Sequence, residues 1–181
     1  MRLPAFKKYL PPLLLVLSLL LPAASFAANE TSPATDLPAT LYIIPFLNVM
    51  IPAGVSSELF DVFIDEMLVV GESHGMSVRI VKQNIDTVDR EWLGRQTFVT
   101  GEVFGYVEES GCCSTQINAK VRAYLYRPGS NEPDRELVVP GDVFFEHDLS
   151  SLEKERALLA SRMAKALATG LFANLSTANN Q

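Results

Sequence analysis

The segment Gly71-Glu-Ser-His-Gly75 places a serine between two glycines, the spacing that presents a nucleophilic serine in α/β-hydrolases. Asp142 and His147 follow Ser73 in the chain order that those enzymes use for the other two members of the triad. A nucleophile elbow, however, follows a strand and precedes a helix, whereas here a helical pattern enters the segment and a strand pattern leaves it. We therefore interpret the segment as the glycine-rich end of a helix. A small secreted serine hydrolase using Ser73 is the alternative function.

Metal and nucleotide chemistry find little support in the residue types. His74 and His147 are the only histidines, and neither has a second metal-ligating residue at helical spacing. Dedicated zinc sites take three or four protein ligands. The chain also has neither a phosphate-binding loop ending in Lys-Ser/Thr nor a Gly-x-Gly-x-x-Gly segment after a strand. We expect no metal and no cofactor.

Cys112 and Cys113 are the only cysteines, and they are adjacent in a predicted hairpin loop. Neighbouring Cα atoms lie about 3.8 Å apart, whereas disulfides usually join Cα atoms about 4.4–6.8 Å apart, so a disulfide between them is strained. An oxidising compartment favours pairing of thiols. Three states stay open at this point: a vicinal disulfide, an intermolecular disulfide and two free thiols.

A set of aromatic and basic side chains on the solvent side of a predicted sheet forms the candidate protein-binding surface. This side alternates with an apolar side along residues 98–107 and 117–126. The candidate binding residues on this side are Phe104, Lys120, Arg122, Tyr124 and Tyr126, and Trp92, in the segment before the first of these strands, is a separate candidate interface anchor. Alternatively, the basic residues belong to an ordinary solvated face, where Arg122 pairs with Glu102 and Lys120 with Asp142, and Trp92 is a packing residue.

The elements that position these residues are read from periodicity. Strands are predicted at residues 41–47, 76–82, 98–107, 117–126 and 137–145. Pro45 favours an edge or a bulge in the first of them. One helical turn is expected around Trp92. Matching the apolar sides sets Val103 opposite Val121. Val99, Gly101, Val103, Gly105 and Val107 share that apolar side, and Glu102, Phe104 and Tyr106 share the other.

Two long helices are predicted to cover the apolar side of this sheet. One spans residues 55–70, with Gly71 and Gly75 available to end it. The other begins at a capping box formed by Ser150 and Glu153 and carries a leucine-rich stripe to Leu175, with a polar tail at 176–181. The order β-α-β-β-β-β-α predicts an α+β (or α/β) two-layer sandwich with a mixed sheet of about five strands, in one domain over residues 39–175.

The N-terminal 27 residues read as a cleaved secretory signal, with three basic residues, an apolar run of about half the length of a membrane span, and small residues before a cleavage site after Ala27. A polar leader follows at 28–38. The remaining 12 Lys and Arg and 21 Asp and Glu give a net charge of −9. This charge disfavours binding to nucleic acid or to anionic membrane surfaces, so we expect a periplasmic protein without stable membrane insertion.

Three short motifs carry a resemblance to a known group of bacterial envelope domains. The segments Tyr42-Ile-Ile-Pro-Phe46, Phe98-Val-Thr-Gly-Glu-Val103 and Tyr124-Leu-Tyr126, with the long helix after the first, resemble the α/β domain shared by the curli secretion protein CsgG, the N-terminal domain of TolB and penicillin-binding-protein activators. The resemblance spans roughly residues 40–175. It implies a non-enzymatic accessory module that binds another cell-envelope protein, and oligomers are possible.

Overall fold

The computed structural model describes residues 40–48 and 50–177. The predicted signal peptide, the leader at 28–38 and the end of the polar tail lie outside the described residues. The described elements, in chain order, are β1 (Thr40–Ile43), β2 (Leu47–Asn48), α1 (Ala53–Ser73), β3 (Ser77–Ile80), α2 (Arg90–Leu93), β4 (Thr97–Ser110), β5 (Ser114–Tyr126), β6 (Arg135–Glu146) and α3 (Leu152–Thr177).

The strands form one mixed sheet in the order β3-β1-β4-β5-β6, and β2 pairs with β4 beyond the end of β1. β1 runs parallel to β3 and β4, whereas β4, β5 and β6 are antiparallel neighbours. Helices α1 and α3 contact each other, and α1 contacts β3 while α3 contacts β5 and β6. The predicted α+β sandwich is confirmed, with the first predicted strand divided in two.

Pro45 causes this division. Ile43 pairs with Val99 and Leu47 pairs with Glu102. The segment from Ile43 to Leu47 therefore contains one residue more than the segment of β4 that it pairs with. Proline has no backbone N–H to donate to the ladder, and the extra residue of a bulge accommodates it. Of the two predicted alternatives for Pro45, an edge or a bulge, the pairing of β1 and β2 with β4 shows the bulge.

The predicted register of the central hairpin is also confirmed, because Val103 lies opposite Val121 and Glu102 opposite Arg122. The predicted pairing of Lys120 with Asp142 is wrong. Lys120 lies opposite Pro140, and Asp142 opposite Asn118. A slip of two residues keeps every side chain on its face, so the alternation of apolar residues cannot distinguish these two registers.

Along β4, a bulge at Gly105 exchanges the two faces of the strand. Phe104 pairs with Lys120 but Val107 pairs with Asn118, so β4 contains one extra residue here, and Gly105 adopts a positive φ of 64°. Consequently Tyr106 and Glu108 point to the helix-covered face, and Val107 is 47% exposed. The prediction that Val107 shares the apolar side of Val103 is wrong for this reason.

The hydrophobic core lies between α1, α3 and what we call the inner face of the sheet. The predicted apolar side of β5 is buried throughout: Ile117, Ala119, Val121, Ala123 and Leu125 are at most 3% exposed. On α3, the buried stripe contains Leu159, Met163, Leu167 and Leu171, with Ala160 and Ala164 allowing close approach.

Both long helices differ from prediction at an end. Gly71 lies inside α1, where an added Cβ would come within 2.6 Å of a methyl carbon of Val78, and Gly75, with φ 70°, follows the helix end. At the start of α3, the backbone N–H of Lys154 donates to the Ser151 hydroxyl oxygen at 3.3 Å, so the cap is one residue later than the predicted capping box.

Candidate functional site

The structure does not bring together the residues of the hydrolase alternative. The Ser73 hydroxyl donates to the carbonyl oxygen of Val70 at 2.7 Å and lies 3.0 Å from Nδ1 of His74. The hydrogen-bond partner of the His147 ring is Thr115 instead, with 2.8 Å between Nε2 of His147 and the Thr115 hydroxyl oxygen.

Ser73 and His147 lie at opposite ends of the helical layer. His74, at the end of α1, stacks on Phe172 near the end of α3, and Gly54 at the start of α1 lies beside Arg156 near the start of α3. The two helices are therefore roughly parallel. A helix of 21 residues is about 30 Å long. Because His147 precedes α3, the serine and the imidazole are separated by about that length.

Within residues 40–48 and 50–177, no group of three or more His, Cys, Asp or Glu side chains is placed to hold a metal ion. In the same part of the chain, no helix combines the length and apolar character needed to cross a bilayer.

Cys112 and Cys113 are both exposed thiols at the tip of the β4–β5 hairpin, with their Sγ atoms 3.1 Å apart. The hydrogen bond with the Cys112 side chain raises the pKa of the Cys113 thiol. The tip is tied to the end of β6, since the backbone N–H of His147 donates to the carbonyl oxygen of Cys113 at 2.9 Å. Which of the three redox states occurs in the cell stays a prediction.

The sheet face opposite α1 and α3, the outer face, has two differently packed halves. In the first half, the segment containing α2 packs over the sheet and forms a second apolar cluster of Ile44, Val88, Leu93 and Phe98, with Tyr42, Trp92 and Tyr126 packed against it. The Trp92 ring meets Tyr42 edge-on at 5.0 Å, and Tyr126 stacks on Phe98 at 4.5 Å. Two of the six candidate binding residues, Trp92 and Tyr126, thus belong to this cluster.

The other half of the outer face, which we call the open face, is formed by β4, β5 and β6 and contains the remaining four candidates. Arg122 lies at its centre. The Arg122 guanidinium carbon is 4.5 Å from the centroid of the Phe104 ring and 5.8 Å from that of the Tyr124 ring. Lys120, directly opposite Phe104, is exposed.

Carboxylates and a phenol hold the Arg122 side chain in place. Its Nη1 donates to the Tyr124 hydroxyl at 3.1 Å and lies 3.4 Å from a carboxylate oxygen of Glu136. The Tyr124 hydroxyl in turn donates to Glu102 at 3.1 Å. Burial raises the pKa of Tyr124, so its phenol stays protonated as the link between the two. The buried Nε of Arg122 has no hydrogen-bond partner among the residues that the structure describes, and it lies 3.6 Å from Oε1 of Glu102.

Apolar side chains share the open face with this arginine. Val138 lies directly opposite Arg122, whereas Phe144 lies opposite Gln116, six residues away along β5. Strand alternation and register place six apolar side chains on this side of the sheet. Phe144 is 63% exposed, which is more than Val107, Val138 or Leu47. The six are Leu47, Phe104, Val107, Val138, Pro140 and Phe144. The open face therefore combines a fixed cation, two aromatic rings in contact with it, and exposed apolar side chains distributed along the three strands.

Comparison with known proteins gives similarity in structure alone. No protein-family model and no curated protein sequence matches the chain. Among solved structures, the chain is similar to lipoprotein GNA1162 from Neisseria meningitidis, with 15% identity, a TM-score of 0.45, and coverage of 73% of this chain and 99% of that one. It is also similar to the rare lipoprotein B from Shewanella oneidensis, with 12% identity, a TM-score of 0.42, and coverage of 77% and 95%.

A third similar structure is the PelC dodecamer from Paraburkholderia phytofirmans, with 12% identity, a TM-score of 0.45, and coverage of 70% of this chain and 86% of that one. The structural neighbours thus include bacterial lipoproteins. At these identities and TM-scores the likeness assigns neither a family nor an activity to the chain. The resemblance to CsgG, TolB and penicillin-binding-protein activators stays a prediction.

Sequence reasoning missed the division of the outer face and the apolar residues that β6 adds to it. Val138 and Phe144 alternate with Leu137, Val139, Val143 and Phe145, so β6 is apolar on both sides. That pattern was a usable signal, because a strand with one solvated side normally carries polar residues there.

Proposed function

We propose that this chain is a non-enzymatic accessory module of the cell envelope that binds another envelope protein through the open face. The fixed arginine and the exposed apolar side chains on the same sheet face support this proposal. Arginine and aromatic residues are enriched in protein–protein interfaces, and their contributions concentrate where a pre-positioned side chain is surrounded by apolar contacts that exclude water.

The arrangement favours a protein partner over a small molecule. Among residues 40–48 and 50–177 no helix or strand packs over the open face, whereas small-molecule sites are concave and enclose most of their ligand. Exposed apolar side chains gathered on one face of a domain mark interaction sites. The charges of Arg122 and Lys120 are balanced by those of Glu102 and Glu136, so shape and apolar contact contribute more to the association than net charge.

A matched pair of substitutions tests this proposal. Phe144 on the open face and Val69 on α1 are similarly exposed, at 63% and 66%. We expect Phe144→Asp to reduce co-purification of the partner with the chemically crosslinked protein by at least about tenfold, as loss of an interface hot spot does. Val69→Asp should leave co-purification unchanged. Equal loss in both variants, or retention in both, would contradict the proposal.

Catalysis is tested separately with Ser73→Ala. A non-enzymatic module predicts that the purified protein hydrolyses 4-nitrophenyl acetate no faster than this variant. Activity that disappears with Ser73→Ala would support the hydrolase instead.

A further inference from the structure

The covered half of the outer face contains a cavity of about 340 Å³ beside α2. It lies between the segment that carries α2 and the loop that joins β5 to β6. This volume is at the lower end of the range of about 300–1,000 Å³ that small-molecule sites occupy. A ligand that fits it is therefore small.

The walls of the cavity are held by hydrogen bonds within the protein. The backbone N–H of Gly129 donates to the carbonyl oxygen of Gly94 at 2.8 Å, which joins the two walls. Asp89 caps α2 by accepting from the backbone N–H groups of Glu91 and Trp92. A preformed site loses less conformational entropy on binding than one that must be ordered.

The floor of the cavity is lined by two aromatic side chains that stack on each other. The rings of Phe98 and Tyr126 are nearly parallel, with an angle of 7° between their planes, and Leu93 and Ile85 also line the cavity. Offset or edge-on packing of another aromatic ring against such a pair adds to the free energy of burying its surface. The floor thus favours a ligand that carries an aromatic ring.

Two opposite charges also line the cavity. Arg90 and Asp86 are exposed, and neither side chain has a hydrogen-bond or ion-pair partner among the described residues. Arg95, two residues beyond α2, is by contrast paired with Glu91 at 3.1 Å. A cation and an anion that do not pair with each other present binding partners for a ligand carrying both charges.

We propose that this cavity binds a small zwitterion, an α-amino acid with an aromatic side chain. The ring packs on Phe98 and Tyr126, the ligand carboxylate pairs with Arg90, and the ligand ammonium pairs with Asp86. This site is separate from the open face, so it stands or falls independently of the proposed protein binding.

Titration of the purified, ¹⁵N-labelled protein with three probes tests the assignment. L-phenylalanine carries the ring and both charges, 3-phenylpropionate lacks the ammonium, and phenethylamine lacks the carboxylate. We expect L-phenylalanine to shift the amide resonances of Gly94 and Gly129 and the indole resonance of Trp92. Each single-charge probe should bind at least about threefold more weakly, in line with the modest strength of exposed ion pairs.

Substitutions at the two charges give opposite expectations. Arg90→Gln should weaken L-phenylalanine and 3-phenylpropionate but not phenethylamine, and Asp86→Asn should weaken L-phenylalanine and phenethylamine but not 3-phenylpropionate. Arg95→Gln is the matched control and should change none of the three affinities. The proposal is overturned if L-phenylalanine shifts neither glycine amide, if the three probes bind equally, or if Arg95→Gln has the same effect as Arg90→Gln.

Discussion

The ion pair between Glu108 and Arg156 links β4 to α3, and its removal tests the bulge at Gly105 that turns Glu108 inward. Nε and Nη2 of Arg156 donate to the two carboxylate oxygens, each at 2.6 Å, and the two side chains are 20% and 26% exposed. The Tyr106 hydroxyl also donates to this carboxylate. Burial, followed by the hydrogen bond to Glu108, raises the pKa of Tyr106 to about 12. The perturbation is Glu108→Gln, which removes the negative charge and retains the size of the side chain.

The magnitude follows from geometry and exposure. Hydrogen bonds to charged groups contribute about 1.5–3 kcal/mol in sheltered sites, whereas exposed ion pairs contribute about 0–1 kcal/mol. A bidentate pair with side chains about one-quarter exposed lies between these limits, so we expect Glu108→Gln to lower the free energy of unfolding by about 1–2 kcal/mol. For a chain of this size the midpoint of thermal unfolding then falls by roughly 2–8 °C.

The stabilisation from the ion pair between Glu108 and Arg156 decreases in acid. The hydrogen bonds from Arg156 hold the pKa of Glu108 below its ordinary value, so the unfolded chain binds a proton at this position more readily than the folded one. The stabilisation is therefore fully present above the ordinary glutamate pKa of about 4.3 and is lost as the pH falls through the lower, folded-state value.

Urea unfolding followed by circular dichroism at pH 7 and at about pH 3 measures this difference. Glu109→Gln is the control, because Glu109 is the exposed neighbour and makes no side-chain hydrogen bond or ion pair within the described residues. We expect Glu108→Gln to be less stable than Glu109→Gln at pH 7, with the gap narrowing in acid. Equal stability of the two variants at pH 7, or a gap that does not change with pH, would refute the reasoning.

Three further stability predictions can be checked by the same unfolding measurement. Gly105→Ala should cost about 1–2 kcal/mol because φ is positive there. At Gly54 an added Cβ meets no described atom within 4 Å apart from its chain neighbours and the local helix backbone, so Gly54→Ala should cost nothing or stabilise α1 by up to about 1 kcal/mol. Equal effects of the two substitutions would show that the positive φ carries no strain. Leu167→Ala, at a fully buried position, should cost about 2–5 kcal/mol, and Leu158→Ala, 46% exposed, less than about 1 kcal/mol; a reversed order would contradict the packing of α3. Replacing both exposed hairpin cysteines with serine should change the free energy of unfolding of the reduced protein by less than about 0.5 kcal/mol, and a larger loss would show that the thiols support the fold.

The sequence was sufficient for features that local periodicity determines. Strict alternation along β5 correctly predicted its buried side, and matching that side to β4 correctly placed Val103 opposite Val121. Alternation failed at Gly105, where one inserted residue exchanged the faces of the strand. A glycine within a strand pattern is a known signal for such a bulge, but its position on an otherwise regular apolar side concealed it.

Tertiary contacts explain the rest of what was missed. The register of β6 differs by two residues from the prediction, because a slip of two preserves the face of every side chain. Tyr126 lies outside the open face because the segment containing α2, with Trp92, packs over that part of the sheet. The cavity exists because Gly129 bonds to Gly94, a contact between loops that are 35 positions apart in sequence. Neither loop carries a periodic pattern that predicts this contact.

The central claim is that the open face binds an envelope protein, and site-specific photo-crosslinking in the producing cell tests it most directly. A benzophenone amino acid is placed either at Val138, on the open face beside Arg122, or at Val69, on the exposed side of α1. We predict one dominant crosslinked product at Val138, identified by mass spectrometry as an envelope protein, and no such product at Val69. The absence of a product at Val138, or the same product from both positions, would contradict the claim.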